Sequence, residues 1–146
     1  MDAEAAPQTL DAAAPGGAIL LADDSFAGRQ LLARILGRLS PARLHEARDG
    51  GSAIEAFQLL RPRITLLDID MPAMDGLTVL EQIRTIEPDA FVIMVSAYSR
   101  LETVRRAVDL GVGGFVVKPY SMRRIEDVLV RYVELTGDTT MLKAAA

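Results

Sequence analysis

The chain has 146 residues, of which half are hydrophobic and a quarter charged, a balance typical of one globular domain rather than two. Its net charge of -4 argues against DNA binding, and the absence of cysteine excludes disulfides and thiolate metal sites. The lack of cysteine is also consistent with a cytoplasmic location. No apolar run approaches the roughly 20 residues that a membrane-spanning helix needs, so we expect no membrane segment.

The two ends of the chain lack the periodic patterns of its middle. Residues 1–17 are acidic and rich in Ala and Pro, without the basic start and apolar core of a signal peptide, and are predicted to form a disordered leader. Residues 137–146 are predicted to form a flexible tail. The single domain is therefore expected to span residues 18–136.

Between the ends, short apolar runs alternate with segments of helical spacing. The runs lie at residues 18–22, 43–47, 64–68, 90–95 and 114–117. Apart from the weaker second run they are continuously apolar, as expected for strands buried on both faces of a parallel sheet. Each is followed by an apolar helical stripe, such as Ile125, Val128 and Leu129 in the last segment. Because crossovers between parallel strands are right-handed, the pattern predicts an α/β fold, a doubly wound (βα)₅ sheet.

Polar residues follow the apolar runs where the carboxyl ends of the strands are predicted. Asp23 and Asp24 follow the first run, Asp68 ends the third, Ser96 follows the fourth and Lys118 the fifth. Ligands of open α/β sheets bind at this edge. Carboxylates about 4 Å apart repel by about 4 kcal/mol per pair at an effective dielectric near 20, and oxygen ligands suit Mg²⁺. The set predicts a magnesium site where a carboxylate attacks a phosphoryl group.

Four sequence blocks resemble the signature blocks of response-regulator receiver domains. They are ADDS at 22–25, LDIDMPAMDG at 67–76, VSA at 95–97 and VKP at 117–119. They occur in the family's order and at similar spacing, and the resemblance extends over about residues 17–135. It implies a chemotaxis-type single domain with a flavodoxin-like fold and the strand order 2-1-3-4-5. It also implies a cis peptide before Pro119.

The resemblance implies a role for each residue at the predicted site. Asp68 would be the phosphoacceptor, phosphorylated by a histidine kinase or a phosphotransfer protein. Asp23, Asp24, Asp68 and the backbone carbonyl of Asp70 would bind Mg²⁺, and Lys118 would contact the phosphoryl group. The Asp70 carboxylate stands where many members carry a neutral side chain, and is predicted to alter the lifetime of the phosphoryl group.

The resemblance also implies a conformational switch. Ser96 would move its hydroxyl toward the phosphoryl group, and Phe115, where the family often has Tyr, would be the aromatic switch residue. The surface of the last two helices and the fifth strand would then bind a downstream protein. We expect a monomer or a weak, phosphorylation-dependent dimer. The chain would catalyse only its own phosphorylation and dephosphorylation, and would not be an enzyme acting on other substrates.

Other functions stay open at this point. The Asp68-Ile-Asp70 sequence also resembles the nucleophile motif of haloacid-dehalogenase phosphatases, although here the acidic pair precedes that motif. A receiver used as a phosphate-independent scaffold is a further alternative. A dinucleotide-binding unit is disfavoured because no glycine-rich fingerprint follows the first run.

Arginines on or beside the last two predicted helices suggest a second hypothesis. They are Arg100, Arg105, Arg106, Arg123, Arg124 and Arg131. Guanidinium groups suit carboxylates and phosphates, so this face could bind an acidic partner or a nucleotide-like ligand. The alternative is a set of solvated helix faces. Elsewhere, His45 is expected to be exposed or structural, and Asp75 to cap a helix.

Overall fold

The architecture is taken from a computed structural model, which describes residues 17–98 and 100–143. Of the predicted leader at 1–17, only Gly17 lies within the described residues. The strands are β1 (Ala18–Ala22), β2 (Arg43–Ala47), β3 (Ile64–Asp68), β4 (Phe91–Ser96) and β5 (Gly114–Val117). The helices are α1 (Phe26–Leu39), α2 (Gly50–Leu60), α3 (Gly76–Ile86), α4 (Leu101–Asp109) and α5 (Met122–Thr136), followed by a 3₁₀ helix (Thr139–Met141).

The strands form one parallel sheet in the order β2-β1-β3-β4-β5, which confirms the predicted fold class and topology. In the register of the sheet, Asp68 lies opposite Val95, and Ser96 lies opposite Val117. The carboxyl ends of β3, β4 and β5 are therefore level with one another. This alignment brings the residues that follow the strands to a common edge.

Helices cover the sheet on both faces, which explains the continuous apolar runs. Leu20, Leu67 and Met94 point into a core shared with α2 and α3. Ile19 and Leu21 point into the opposite core, shared with α1 and α5. Every residue of β1 and β3 is buried, whereas β2 lies at the edge and exposes most of its side chains. That edge position accounts for the weak pattern of the second run, and His45 is exposed there as expected.

Helix caps show that α4 is the helix whose N-terminus is least fixed. In each of the other four helices, the side chain of the N-cap residue accepts a hydrogen bond from a backbone amide in the first turn. These N-cap residues are Ser25, Asp49, Asp75 and Ser121. The expected cap role of Asp75 is thus confirmed. In α4, Arg100 occupies the N-cap position without a side-chain cap, and Ala107 is the one buried residue of the helix. Because few apolar groups fix it, α4 has little packing to resist displacement.

The segment after α5 differs from the predicted flexible tail over residues 137–143. Met141 is fully buried in the core beneath α1 and α5. The Lys143 amide donates to the Leu39 carbonyl at 2.8 Å, and Lys143 Nζ donates to the Gly37 carbonyl at 2.9 Å. A single apolar residue on a three-residue turn leaves no periodic signal in a sequence, so the docking could not be anticipated. Residues 144–146 lie outside the described part.

Asp138 joins this segment to the rest of the domain. Its carboxylate accepts hydrogen bonds from Tyr132 Oη at 2.6 Å and from Arg63 Nη1 at 3.2 Å. Burial opposes the charged form, but hydrogen bonds from Thr140 and Tyr132 lower the pKa of Asp138 to about 2. Burial and the adjacent carboxylate raise the pKa of Tyr132 to about 12. The segment is therefore held by a charge-assisted contact as well as by Met141.

Removing the Tyr132 hydroxyl tests this contact. We expect Tyr132→Phe to lower the free energy of unfolding by about 1–2 kcal/mol, since it deletes a hydrogen bond to a charged group. Tyr98→Phe is the matched control, because the Tyr98 ring is 61% exposed and its change should be nearly neutral. Urea unfolding of the two variants measures the difference. Equal midpoints would contradict a stabilising role for the contact.

Among the described residues, no helix combines the length and apolar character that crossing a membrane requires.

Candidate functional site

Three carboxylates meet at the carboxyl edge of the sheet. Asp23 directly follows β1, Asp68 is the last residue of β3, and both are almost fully buried. Asp24 is exposed beside them. One oxygen from each of the three side chains lies within 4.8 Å of the other two. The sequence-based expectation that these residues converge is therefore confirmed in position.

The backbone around Asp23 fixes its orientation. Its Oδ1 accepts a hydrogen bond from the Ser25 amide at 2.8 Å, and its amide donates to the Ala47 carbonyl at 3.0 Å. Arg29 Nη1 donates to the carbonyl of Asp23 at 2.8 Å, while Arg29 Nε binds Glu46 at 3.1 Å. These contacts hold the carboxylate without neutralising it. Sequence reasoning did not identify Arg29, because its role depends on tertiary contacts.

Two glycines make room for the carboxylates. A Cβ atom on Gly28 would lie 2.7 Å from Asp23 Oδ2, and one on Gly76 would lie 2.4 Å from the Asp68 carbonyl oxygen. Both distances fall below the 3.0 Å that real Cβ atoms essentially never breach, so any larger residue would displace the site. Sequence reasoning assigned neither glycine to the site. Gly76 ends the second signature block, which was a usable signal.

Lys118 places one positive charge between two buried carboxylates. Its Nζ lies 3.3 Å from Asp23 Oδ2 and 3.3 Å from Asp68 Oδ2, and its amide donates to the Ser96 carbonyl. The peptide between Lys118 and Pro119 is cis, as the resemblance implied. Burial alone would lower the pKa of Lys118, but the carboxylates of Asp68 and Asp23 outweigh it and raise that pKa. Lys118 is therefore a fixed cation at this edge.

Asp68 carries a perturbed carboxyl group. Desolvation is the largest influence and raises the pKa of Asp68 to about 6, assisted by the neighbouring charge of Asp23. The hydrogen bond from the Asp70 amide, at 3.1 Å, and the charge of Lys118 act in the opposite direction. The single positive charge of Lys118 therefore offsets only part of the negative charge of Asp23 and Asp68. A further cation at the edge would relieve the remaining repulsion.

Ser96 and Asp70 contact each other beside this cluster. Ser96, the last residue of β4, is buried, and its hydroxyl donates to Asp70 Oδ2 at 3.2 Å. Asp70 Oδ2 also accepts from the Ala97 amide at 3.4 Å. Asp70 itself is exposed on the loop after β3. Sequence reasoning placed both residues at the edge but did not foresee this direct contact.

Phe115 lies on β5 and is partly buried. Its side chain packs against the core that β1, β3 and β4 share with α2 and α3. In the sheet register it lies opposite Met94, two residues before the Ser96–Val117 pair. It therefore sits one strand away from Ser96, with its ring in the same layer as α4 residue Ala107.

The arginine hypothesis loses much of its support in the structure. Arg106 pairs with Glu81, and Arg123 lies 3.8 Å from Asp127. The other contacts involve backbone or rings: Arg124 donates to the Phe115 carbonyl, Arg131 donates to the Gly113 carbonyl, and Arg100 lies over the Tyr98 ring. Arg105 is exposed. Guanidinium groups bound to their own chain are less available to an external anion, which favours the alternative of structural and solvated helix faces.

The donor set fits a hard divalent cation. Asp23, Asp24 and Asp68 offer only carboxylate oxygens, which Mg²⁺ prefers over nitrogen or sulfur. Two of the three are buried with a single lysine for compensation, so the local charge also favours a cation. The residues present therefore fit the magnesium site expected from the sequence.

Comparisons with known proteins identify the family of the chain. The family model of the response regulator receiver domain matches residues 19–130. The chemotaxis protein CheY of Thermotoga maritima is 32% identical over 114 residues, covering 78% of this chain and 95% of the relative.

Two solved structures share the fold. A CheY-like response regulator receiver domain protein from Methanospirillum hungatei has a TM-score of 0.75 at 25% identity, covering 81% of this chain and 94% of that chain. A chain from the CheX-CheY-BeF₃-Mg²⁺ complex of Borrelia burgdorferi has a TM-score of 0.72 at 29% identity, covering 82% and 88%. Fold, signature blocks and family match agree, and the chain belongs to the response-regulator receiver domains of two-component signalling.

Proposed function

We propose that this chain is a phosphorylation-dependent signalling switch whose phosphoacceptor is Asp68. The observation that carries the proposal is the position of the Asp68 carboxylate, buried within a three-carboxylate cluster and 3.3 Å from Lys118 Nζ. A nucleophile, a fixed cation and a candidate metal site occur together at the carboxyl edge of the sheet. Phosphoryl transfer depends mainly on such positioning and electrostatics.

Magnesium is the proposed cofactor. Asp23, Asp24, Asp68 and the backbone carbonyl of Asp70 would hold it, and bound Mg²⁺ would offset charge on the phosphoryl oxygens. The similar Borrelia burgdorferi chain comes from a complex that contains BeF₃ and Mg²⁺, which supports the same cofactor here. The excess of buried negative charge over Lys118 supports it independently.

The chain's own groups account for the phosphoryl transfer. An Asp68 carboxylate oxygen would attack phosphorus in a phosphohistidine of a histidine kinase or phosphotransfer protein. The new O–P bond would make an acyl phosphate as the P–N bond breaks, and the histidine would leave as a neutral imidazole after taking up a proton. Lys118 would pair with a phosphoryl oxygen, and the Ser96 hydroxyl would donate to another. The chain would thus catalyse only its own phosphorylation and dephosphorylation.

Output is proposed to occur through α4, β5 and α5. Several large apolar side chains are exposed in or beside these elements: Tyr98, Leu101, Val108, Val117 and Met122. α4 buries only Ala107, so its position can respond to events at the strand end. Movement of Ser96 and Phe115 would shift α4 and alter this apolar surface for a downstream protein. A monomer or a weak, phosphorylation-dependent dimer fits such a transient surface.

Acetyl phosphate with Mg²⁺ tests the proposal. Intact-mass spectrometry should show one added phosphoryl group on the unmodified protein and none on Asp68→Asn. Asp75→Asn is the matched control, since Asp75 is an exposed helix cap at the same end of the sheet and should leave phosphorylation unchanged.

The alternatives predict different results, either in this assay or with a phosphomonoester as the substrate. No added mass on the unmodified protein would contradict the switch and favour a phosphate-independent scaffold. Repeated turnover of a phosphomonoester would favour a haloacid-dehalogenase-like phosphatase instead. Loss of phosphorylation in Asp75→Asn as well would show that the assay reports general damage to this edge.

A further inference from the structure

Asp70 connects the proposed phosphoacceptor to the proposed switch hydroxyl. Its backbone amide donates to Asp68 Oδ1 at 3.1 Å, while its side-chain Oδ2 accepts from Ser96 Oγ at 3.2 Å. The same oxygen also receives the Ala97 amide at 3.4 Å. One exposed residue therefore contacts both partners of the switch, and it holds the end of β4 through two hydrogen bonds.

The one donor hydrogen of the Ser96 hydroxyl is already used in this arrangement. A serine has a single hydrogen to donate, and here that hydrogen goes to the Asp70 carboxylate. The oxygen of the same hydroxyl accepts from the Tyr98 amide at 3.1 Å. Ser96 is only 2% exposed, so bulk solvent competes little for that hydrogen. The hydroxyl can therefore donate to a phosphoryl oxygen on Asp68 only by leaving Asp70.

We propose that Asp70 is a positioning residue that holds the Ser96 hydroxyl away from the phosphoryl group and so opposes the phosphorylated conformation. This inference rests on the proposed function of Asp68. The Asp70 carboxylate and the phosphoryl group are both anions, and they compete for the same donor. Phosphorylation must therefore break a charge-assisted hydrogen bond before Ser96 can turn inward, which lowers the population of the switched state.

The contact also reaches the start of α4. Because Tyr98 donates to Ser96 Oγ, displacement of that oxygen releases the segment leading into α4. A cavity of about 170 Å³ beside Asp70 and Ser96 is also lined by Tyr98, Arg100 and Thr103, and gives this segment room to move. The helix it enters has no side-chain cap. Asp70 therefore restrains the same end of α4 that the proposed output surface includes.

Binding of beryllofluoride with saturating Mg²⁺ tests the inference. Affinity is measured by titration calorimetry for the unmodified protein, Asp70→Ala, Ser96→Ala and the double variant, after the Mg²⁺ affinity of each has been determined separately. We expect Asp70→Ala to tighten beryllofluoride binding by about 3- to 10-fold, the range for one hydrogen bond that no longer has to be broken. In the Ser96→Ala background the same change should have an effect of less than about 2-fold.

The double variant separates the hydrogen bond from simple charge repulsion. Equal tightening by Asp70→Ala in both backgrounds would mean that only the lost charge matters, and would overturn the inference. Unchanged affinity in Asp70→Ala would overturn it too. Failure of the unmodified protein to bind beryllofluoride at all would instead count against the proposed function of Asp68, so the two failures are distinguishable.

A second measurement examines the variant in its free state. In ¹H–¹⁵N spectra of the free protein, Asp70→Ala should shift the Ala97 and Tyr98 amide signals toward their positions in the beryllofluoride-bound unmodified protein. A residue with a merely local structural role would not move them in that direction. Signals that stay at the free, unmodified positions would overturn the proposed restraint.

Discussion

In magnesium-free buffer at about pH 8, Asp68→Asn is expected to raise the free energy of unfolding by about 1–3 kcal/mol. Asp68 is 3% exposed, and burial raises its pKa from 3.8 to about 6. The folded state therefore binds the Asp68 proton more tightly than the unfolded state does. That contribution to stability is complete below the unfolded pKa of 3.8 and is lost as the pH rises through about 6. Above that pH the folded protein bears a buried charge that asparagine removes.

Urea unfolding across pH checks the sign as well as the size. The advantage of Asp68→Asn should shrink as the pH falls below about 6 and vanish only well below the unfolded pKa of 3.8, at about pH 3, where both states of the unmodified protein carry a protonated Asp68. Lys118 keeps Asp23 as a partner in the variant, so it is not left buried without a counter-charge. An advantage that is constant with pH would mean that the shape of asparagine is responsible. Asp75→Asn, at an exposed helix cap, is the matched control.

Added Mg²⁺ should reduce the stability advantage of Asp68→Asn. A cation that binds only the folded protein stabilises it by an amount that grows with the logarithm of the ratio of its concentration to its Kd, and Asp68→Asn removes one of the proposed ligands. The unmodified protein should therefore gain more stability from added Mg²⁺ than the variant does. Equal gains in both proteins would argue that Asp68 does not contribute to the proposed metal site.

The positions of the site residues followed from the sequence because they depend on a regular architecture. Buried parallel strands give continuous apolar runs, and residues that follow such runs meet at one sheet edge. Asp23, Asp68, Ser96 and Lys118 needed only this rule to be grouped correctly. Their distances did not follow, since a strand order specifies neighbours without specifying rotamers.

Features that depend on individual side chains could not be predicted from the sequence. Met141 docks through one buried residue, and the Asp70–Ser96 contact joins residues 26 apart in the chain, so neither leaves a periodic signal. The contacts of the arginines of the last two helices could not be predicted either. As a sequence they resemble an anion-binding face, but Arg124 and Arg131 donate to backbone carbonyls of their own chain. Composition does not reveal where a guanidinium points.

The role of Arg84 also depends on where its guanidinium group points. From α3, its Nε donates to the Leu110 carbonyl at 2.6 Å, its Nη2 to Gly111 at 2.7 Å and its Nη1 to Ala90 at 2.8 Å. Leu110 and Gly111 lie at the end of α4, where orphan carbonyls and the helix dipole both favour a cation. One side chain thus anchors a helix that otherwise buries little.

We expect Arg84→Ala to lower the free energy of unfolding by about 2–4 kcal/mol, because it removes the charged donor from two partly buried carbonyls and one exposed carbonyl. Arg84→Lys should recover only a minor part, since an ammonium group cannot span three carbonyls with the geometry of a guanidinium fork. Arg106→Ala is the matched control on the facing helix. Its pair with Glu81 is largely exposed, so its loss should cost about 0.5 kcal/mol or less.

Hydrogen exchange distinguishes an anchor for α4 from a general contribution to stability. If Arg84 holds the end of α4, the amides of α4 should exchange faster in Arg84→Ala than global destabilisation alone accounts for, while those of β1 and β3 should change only with the global free energy. Uniform acceleration throughout the domain would contradict the anchor. Arg84 holds the C-terminal end of α4, and the N-terminal end, beside Ser96, has no side-chain cap. The helix can therefore rotate about its C-terminal end, and Arg84→Ala should remove the contact that holds that end.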